Sequence, residues 1–197
     1  LEITASDLES TLITHMRLDN ITGSGTVALP ARLLLESLKE FSEQPLTFDI
    51  NPDTLAAVIN SENGRFSVVG QNGIDFPLLP VIKKEKRFGF NVPADVLLAG
   101  ISRTLFATAD DELRPVMGGI LFEASASKLT FVASDAHKLV RYQRSDAKAD
   151  DEASFILPKK PASLLKNILP RESGVVSVEF DDRNAIFTHS DYKVVCR

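Results

Sequence analysis

Residues Leu129–Asp135 read L-T-F-V-A-S-D, and 128 positions earlier Leu1–Asp7 read L-E-I-T-A-S-D. At the same offset T-V-A-L-P (Thr26–Pro30) meets S-F-I-L-P (Ser154–Pro158). Two landmarks in register without a gap mark an internal repeat. A half-period shows as well, because a Leu-Pro or Val-Pro pair recurs at Leu29-Pro30, Val92-Pro93 and Leu157-Pro158, spaced 63 and then 65 residues apart, each time opening a helix-like stretch. The chain therefore reads as about three copies of a unit of roughly 64 residues. Repetition at this scale builds a symmetric scaffold whose units bury their apolar faces against one another.

The phase of the repeat predicts a longer protein. Copy two carries a helix and a strand (Pro93–Glu123) ahead of its A-S-D strand, whereas copy one starts at that strand, and Arg197 falls opposite Val69, just short of copy one's linker. The 197 residues, 44% hydrophobic and 25% charged, have ordinary globular composition, enough for a core in each of two domains. No apolar run approaches the roughly 20 residues that span a bilayer, so a cytoplasmic protein is expected. The single cysteine, Cys196, lies in a closing strand without a partner thiol and reads as buried and structural.

Short alternating runs separated by turn residues predict an α+β fold with antiparallel sheets. Strands are expected at Leu1–Thr4, Thr11–Met16, Leu46–Ile50, Ala56–Asn60, Arg65–Val69, Gly119–Ala124, Leu129–Ser134, Leu139–Arg144, Val175–Phe180, Ala185–Thr188 and Tyr192–Cys196, and helices at Pro30–Ser42, Pro93–Thr108 and Pro158–Leu169. The run Lys83-Lys84-Glu85-Lys86-Arg87, between F-P-L-L-P and F-G-F-N-V-P, reads as a seam, which divides the chain into 1–86 and 87–197.

The net charge of −5 opposes indiscriminate nucleic-acid binding, but the charges are segregated. Acidic residues crowd the turns Asp110-Asp111-Glu112, Asp150-Asp151-Glu152 and Asp181-Asp182, whereas cations gather on the helical units. Lys159 and Lys160 follow Pro158, and Arg32 follows Pro30. A helix N-terminus favours acidic groups by about 0.3–1 kcal/mol, so this recurring local cost points either to a polyanion facing the helices or to solvated lysines.

Catalysis finds little support. None of His15, His137 and His189 has metal-ligand spacing such as H-x-x-x-H, the acidic pairs lack an evident third ligand, and no phosphate-cradling glycine loop is present, so neither metal nor cofactor is expected. Ser134, Asp135 and His137 lie too close in sequence for a triad assembled from separated segments.

D-E-L-R-P-V-M-G-G-I-L-F-E at Asp111–Glu123, followed by L-T-F-V-A-S-D-A-H-K-L at Leu129–Leu139, resembles the bacterial DNA polymerase III β subunit family, the sliding clamps, with their R-P-V-x-x-G-x-L-F-E and V-A-T-D-G-H-R-L. The resemblance extends over the whole chain through L-P-A-R-L-L-L-E-S-L, N-G-R-F-S-V-V-G, F-P-L-L-P and I-L-P-K-K. It implies a non-enzymatic processivity subunit: a DNA-clamp fold, helices on the inner face and sheets outside, and a head-to-tail homodimer of three-domain subunits closed around duplex DNA without reading its sequence. This chain would supply the later part of the first domain (1–86) and most of the middle one (87–197), the third domain being absent. Arg32, Arg103, Lys159, Lys160 and Lys166 would face DNA phosphates.

The same resemblance implies an apolar pocket for short linear motifs of the replicative polymerase, the clamp loader and repair proteins. This chain's share is Met117, Ser134, Ala136, His137, Lys138 and Leu139. Three positions depart from T-D-G-H-R-L, namely Ser134, Ala136 and Lys138. Alanine removes the backbone latitude of glycine, and lysine lacks arginine's planar fork. Two other classes stay open: a clamp-fold adaptor that does not encircle DNA, and a hydrolase using Asp135 and His137. An adaptor need not keep cations on its helix face.

Overall fold

A computed structural model describes residues 1–80, 82, 87–111 and 113–197. Most of the basic run (83–86), and Glu112 of the first acidic turn, lie outside the described residues. In chain order the elements are β1 (Glu2–Ser6), β2 (Ser10–His15), β3 (Val27–Ala28), α1 (Ala31–Glu40), β4 (Thr47–Ile50), β5 (Ala56–Asn60), β6 (Arg65–Val69) and β7 (Gln71–Asn72). Next come β8 (Phe88–Pro93), α2 (Ala94–Thr104), β9 (Gly119–Ala124), β10 (Leu129–Ser134), β11 (Leu139–Arg144), β12 (Ala153–Pro158), α3 (Lys159–Ile168), β13 (Val175–Phe180), β14 (Ala185–Thr188) and β15 (Tyr192–Cys196). Strand pairing among the described residues is antiparallel throughout, as the α+β reading expects.

Two compact units form, Arg17–Leu78 and Leu1–Met16 with Leu79–Arg197. A division at Arg87 groups Leu1–Met16 with Arg17–Leu78, whereas the contacts join it to the second half. The cause is a ladder from β2 to β15, in which Leu12 opposes Val194 and Ser10 opposes Cys196.

The smaller unit carries α1, a three-stranded sheet in the order β4-β5-β6, and the short pair β3-β7. Its buried side chains include Ala57, Ile59 and Val68. The larger unit holds a six-stranded sheet, β1-β2-β15-β14-β13-β8, and a four-stranded sheet, β11-β10-β9-β12. One core runs through both, with Phe122 against Phe131 and Phe155 (ring centroids 4.8 Å apart in each case) and Phe155 against Phe180 at 4.4 Å.

Helix α2 buries Leu97, Gly100, Ile101 and Thr104, the i, i+3, i+4, i+7 stripe of an amphipathic helix. Gly100 is there for space, since a Cβ would come within 2.3 Å of the Phe131 ring. The Thr104 hydroxyl donates to the Gly100 carbonyl at 2.7 Å, which satisfies a polar group otherwise stranded in the core.

Three expected helix starts shift by one residue. Pro30, Pro93 and Pro158 do not occupy the first turn; each is the extended residue before it, with ψ of 105°, 140° and 156°. None offers a capping side chain. Helix α2 also ends earlier than expected, the chain tightening into a 3-10 turn over Leu105–Ala107. Cys196 is buried, and burial first, with the charge of Asp7 second, pushes its thiol up to about 12. No helix among the described residues is long and apolar enough to cross a membrane.

Candidate functional site

The S-D-A-H-K segment is built as a self-bonded turn between β10 and β11. The Ser134 hydroxyl donates to the Lys138 carbonyl at 2.9 Å and accepts the Ala136 N–H at 3.2 Å. Asp135 accepts the backbone N–H groups of His137 and Lys138 at 3.0 and 2.9 Å. Its second oxygen meets Lys138 Nζ at 2.7 Å. Hydrogen bonding to Lys138, through side chain and then backbone, holds the Asp135 carboxyl far below the usual carboxylate range. Asp135 thus bonds the main chain of His137, not its ring, so it does not orient the imidazole as a triad carboxylate would.

This turn leaves Ala136, His137, Lys138 and Leu139 exposed, Leu139 at 70%. Met117 ends a 3-10 turn, Pro115–Met117, immediately before β9 and is half-buried. Because β9 pairs antiparallel with β10, Val132 opposing Leu121, the start of β9 and the end of β10 share one end of the sheet. Register therefore brings Met117 to the end of the sheet where the Ser134–Leu139 turn lies. Sequence reasoning misses Val116 and Leu113, 66% and 91% exposed on the same approach to β9. The proline in R-P-V-M is the available signal for Val116, since it starts the 3-10 turn that carries that residue. The cleft of about 460 Å³ in this unit lies elsewhere, among Ala153–Pro158, Phe180–Ala185 and Cys196-Arg197, and none of the six expected pocket residues lines it.

Arg32 sits in the smaller unit on α1, bonded to Glu36 one turn on at 3.0 Å, its side chain 93% exposed. The other four cations ride on α2 and α3, which pack together. Arg103 lies in the last turn of α2 with its guanidinium 5.3 Å from the centre of the Tyr142 ring, and Lys166 is exposed in the last turn of α3. At the start of α3 the lysines are paired. Lys159 Nζ lies 2.6 Å from Asp110, and Lys160 Nζ lies 2.8 Å from Glu9. The Glu9 hydrogen bond, then its charge, raises the Lys160 ammonium above its ordinary value. The first turn of α3 holds no acidic residue of its own, so the carboxylates that offset its lysines come from distant segments, a feature hidden by the sequence order.

The family model for the central domain of the DNA polymerase III beta subunit matches residues 91–197, and that for its N-terminal domain matches residues 1–80. The chain belongs to the DNA polymerase III beta subunit family. Its relatives include the beta sliding clamp of Synechocystis sp., 28% identical across 100% of this chain and 54% of that protein. The beta sliding clamp of Halalkalibacterium halodurans is 27% identical, covering 94% and 50%. The chain thus spans about half the length of these curated relatives. The fold matches the crystal structure of the Pseudomonas aeruginosa beta subunit with a TM-score of 0.88 at 24% identity, over 100% of this chain and 53% of that one. A Pseudomonas aeruginosa sliding clamp bound to griselimycin gives 0.89 at 23%, over the same shares.

Proposed function

We propose that this chain is part of a sliding clamp that encircles duplex DNA without reading its sequence, tethers the replicative polymerase in the cytoplasm, and is not itself an enzyme. The observation that carries the reading is the β2–β15 ladder, which continues a sheet from the first repeat unit into the second. Strand β11 is the counterpart of β2 at the 128-residue offset, and its partner among the described residues is β10 alone. A third unit would cover that edge with its own counterpart of β15, so one pairing rule, applied repeatedly, closes a head-to-tail homodimer of full-length subunits. On this reading the chain divides at the seam into 1–86 and 87–197. Arg32, Arg103, Lys159, Lys160 and Lys166 face phosphates on the inner side, and the sheets form the outer wall. Met117, Ser134, Ala136, His137, Lys138 and Leu139 form one half of a groove for linear motifs of polymerase, clamp loader and repair proteins.

The lysine pairs favour a second reading, an adaptor that keeps the scaffold without DNA, because Asp110 and Glu9 neutralise charge where DNA would need it. Loading full-length protein onto nicked circular and onto linear plasmid separates the two. Retention through a high-salt wash on circles and loss on linear DNA supports encirclement. Equal retention on both forms, or on neither, supports the adaptor.

A further inference from the structure

The loop after α3 and the β14–β15 hairpin bring together Glu172, His189 and Asp191, whose donor atoms all lie within 4.8 Å of one another. His189 decides what they can do. Its Nε2 lies 2.9 Å from the Ser173 carbonyl oxygen, which accepts only an N–H, so Nε2 carries the proton. In the neutral ring Nδ1 is then a lone pair. That lone pair lies 3.3 Å from Glu172 Oε2, an acceptor facing an acceptor, with the Ser190 hydroxyl at 3.1 Å. Two arrangements satisfy Nδ1: the Ser190 hydroxyl donating to it, or a cation between it and Glu172.

Three observations favour the cation. The 3.3 Å separation is the spacing of two ligands of a tetrahedral ion with bonds of about 2.0–2.1 Å, the zinc distances for imidazole and carboxylate. The imidazole already makes the N–H to carbonyl bond that commonly fixes the orientation of a metal-bound histidine. Tyr192 supplies the third, being 7% exposed with a hydroxyl that has no hydrogen-bond partner among the described residues. Its ring stacks on His189 at 5.2 Å, and burial first, with the charge of Glu172 second, raises the pKa of its phenol, so Tyr192 packs beside this cluster. A metal-bound water would give it a partner.

We propose that Glu172, His189 and Asp191 form a binding site for a divalent ion of the zinc class, His189 ligating through Nδ1 and a water completing the shell. The ion would clip the loop after α3 to the β14–β15 hairpin. Histidine pairs at helical spacing are the usual sequence signal for such a site, whereas this donor set joins a two-residue H-x-D step to a glutamate 17 positions before it.

The experiment is calorimetric titration of chelator-treated protein with zinc chloride, alongside thermal unfolding with and without zinc. One equivalent should bind and raise Tm. His189→Gln and Asp191→Asn should each weaken binding at least tenfold, whereas His15→Gln and Cys196→Ser should bind as the wild type does. Asp191 is exposed, so its variant keeps the fold even if His189→Gln does not. Anomalous scattering at the zinc edge should place the ion between Glu172 and His189. No stoichiometric binding, unchanged binding in Asp191→Asn, or an ion located elsewhere overturns the proposal and leaves the Ser190 hydroxyl as the partner of His189 Nδ1.

Discussion

Leu8 and Ala136, 128 residues apart, occupy the same left-handed backbone conformation, each with φ of 75°. The turns around them are copies in detail. Ser6 bonds the Leu8 N–H and the Ser10 carbonyl as Ser134 bonds those of Ala136 and Lys138, and Asp7 takes the N–H groups of Glu9 and Ser10 as Asp135 takes those of His137 and Lys138. The repeated A-S-D is therefore first a hairpin device: serine and aspartate satisfy four main-chain groups and force the next residue into a conformation suited to glycine.

Ala136→Gly should stabilise the protein. Left-handed backbone costs an L-residue roughly 1–2 kcal/mol, against roughly 0.5–1 kcal/mol of extra unfolded-state freedom in glycine, which leaves a net gain of up to about 1.5 kcal/mol. Leu8→Gly should gain similarly, and Ala136→Val should lose. Urea midpoints at constant slope measure all three, and a loss on introducing glycine would show that the turn is not strained.

These two turns, with a third at Asp181 between β13 and β14, also set an acid limit. Hydrogen bonds lower the carboxyl pKa of Asp7, Asp135 and Asp181 in the folded state. A depressed folded pKa gives stability that is complete above the unfolded value of about 3.9 and is lost as pH falls through the folded values. Unfolding free energy should therefore decline from about pH 5 downward. Asp135→Asn should flatten that decline while lowering stability at pH 7, a difference that denaturation curves across the acid range would record.

Gly100→Ala tests the core from the other side. The new methyl group would meet the Phe131 ring, itself wedged against Phe122 at 4.8 Å, so neither ring has room to retreat. Overpacking of this kind costs about 1–3 kcal/mol, despite the better helix propensity of alanine. Calorimetry should show a clear fall in Tm. An unchanged Tm would mean that α2 slides on its sheet.

Much of this fold is legible in the sequence where periodicity is local. Leu129, Phe131 and Ala133 alternate on β10 and are all buried, and the bounds of β5, β6, β9 to β11 and β13 to β15 come directly from such runs. Strands β8 and β12 escape a sequence reading because each runs into a proline that marks the opening of a helix. Their alternation is present in Phe88, Phe90 and Val92, and an edge position tolerates the proline at the end. Pairings between distant residues are not legible at all: Thr14 donates its hydroxyl to the Asp191 carbonyl 177 residues away, and no local pattern encodes that. The lysine pairs are hidden for the same reason, since Lys160 meets Glu9 across 151 residues.

Those pairs make the electrostatic reading testable. If the α3 lysines serve DNA, Glu9→Gln and Asp110→Asn should free them and strengthen association of the full-length protein with duplex DNA. Lys160→Glu should weaken it, with the differences largest at low salt because the contribution comes from counterion release. A salt series of binding curves that superimpose for all variants would place the DNA surface elsewhere.

The apolar end of the four-stranded sheet carries the remaining prediction. Leu139 is 70% exposed and Met117 half-buried, so truncating both should cost the fold little. An isolated chain has small reason to keep Leu139, Val116 and Leu113 in water at one sheet end unless something covers them. If a linear motif does, binding should rest on a few buried anchors, and Met117→Ala with Leu139→Ala should cost a clamp-binding peptide about 2 kcal/mol in the full-length protein, roughly thirtyfold in affinity. Ala136→Gly should leave that affinity near its starting value, since it changes strain rather than contact. Calorimetry with the peptide decides between the surfaces: wild-type affinity in the double variant would move the partner site away from this turn.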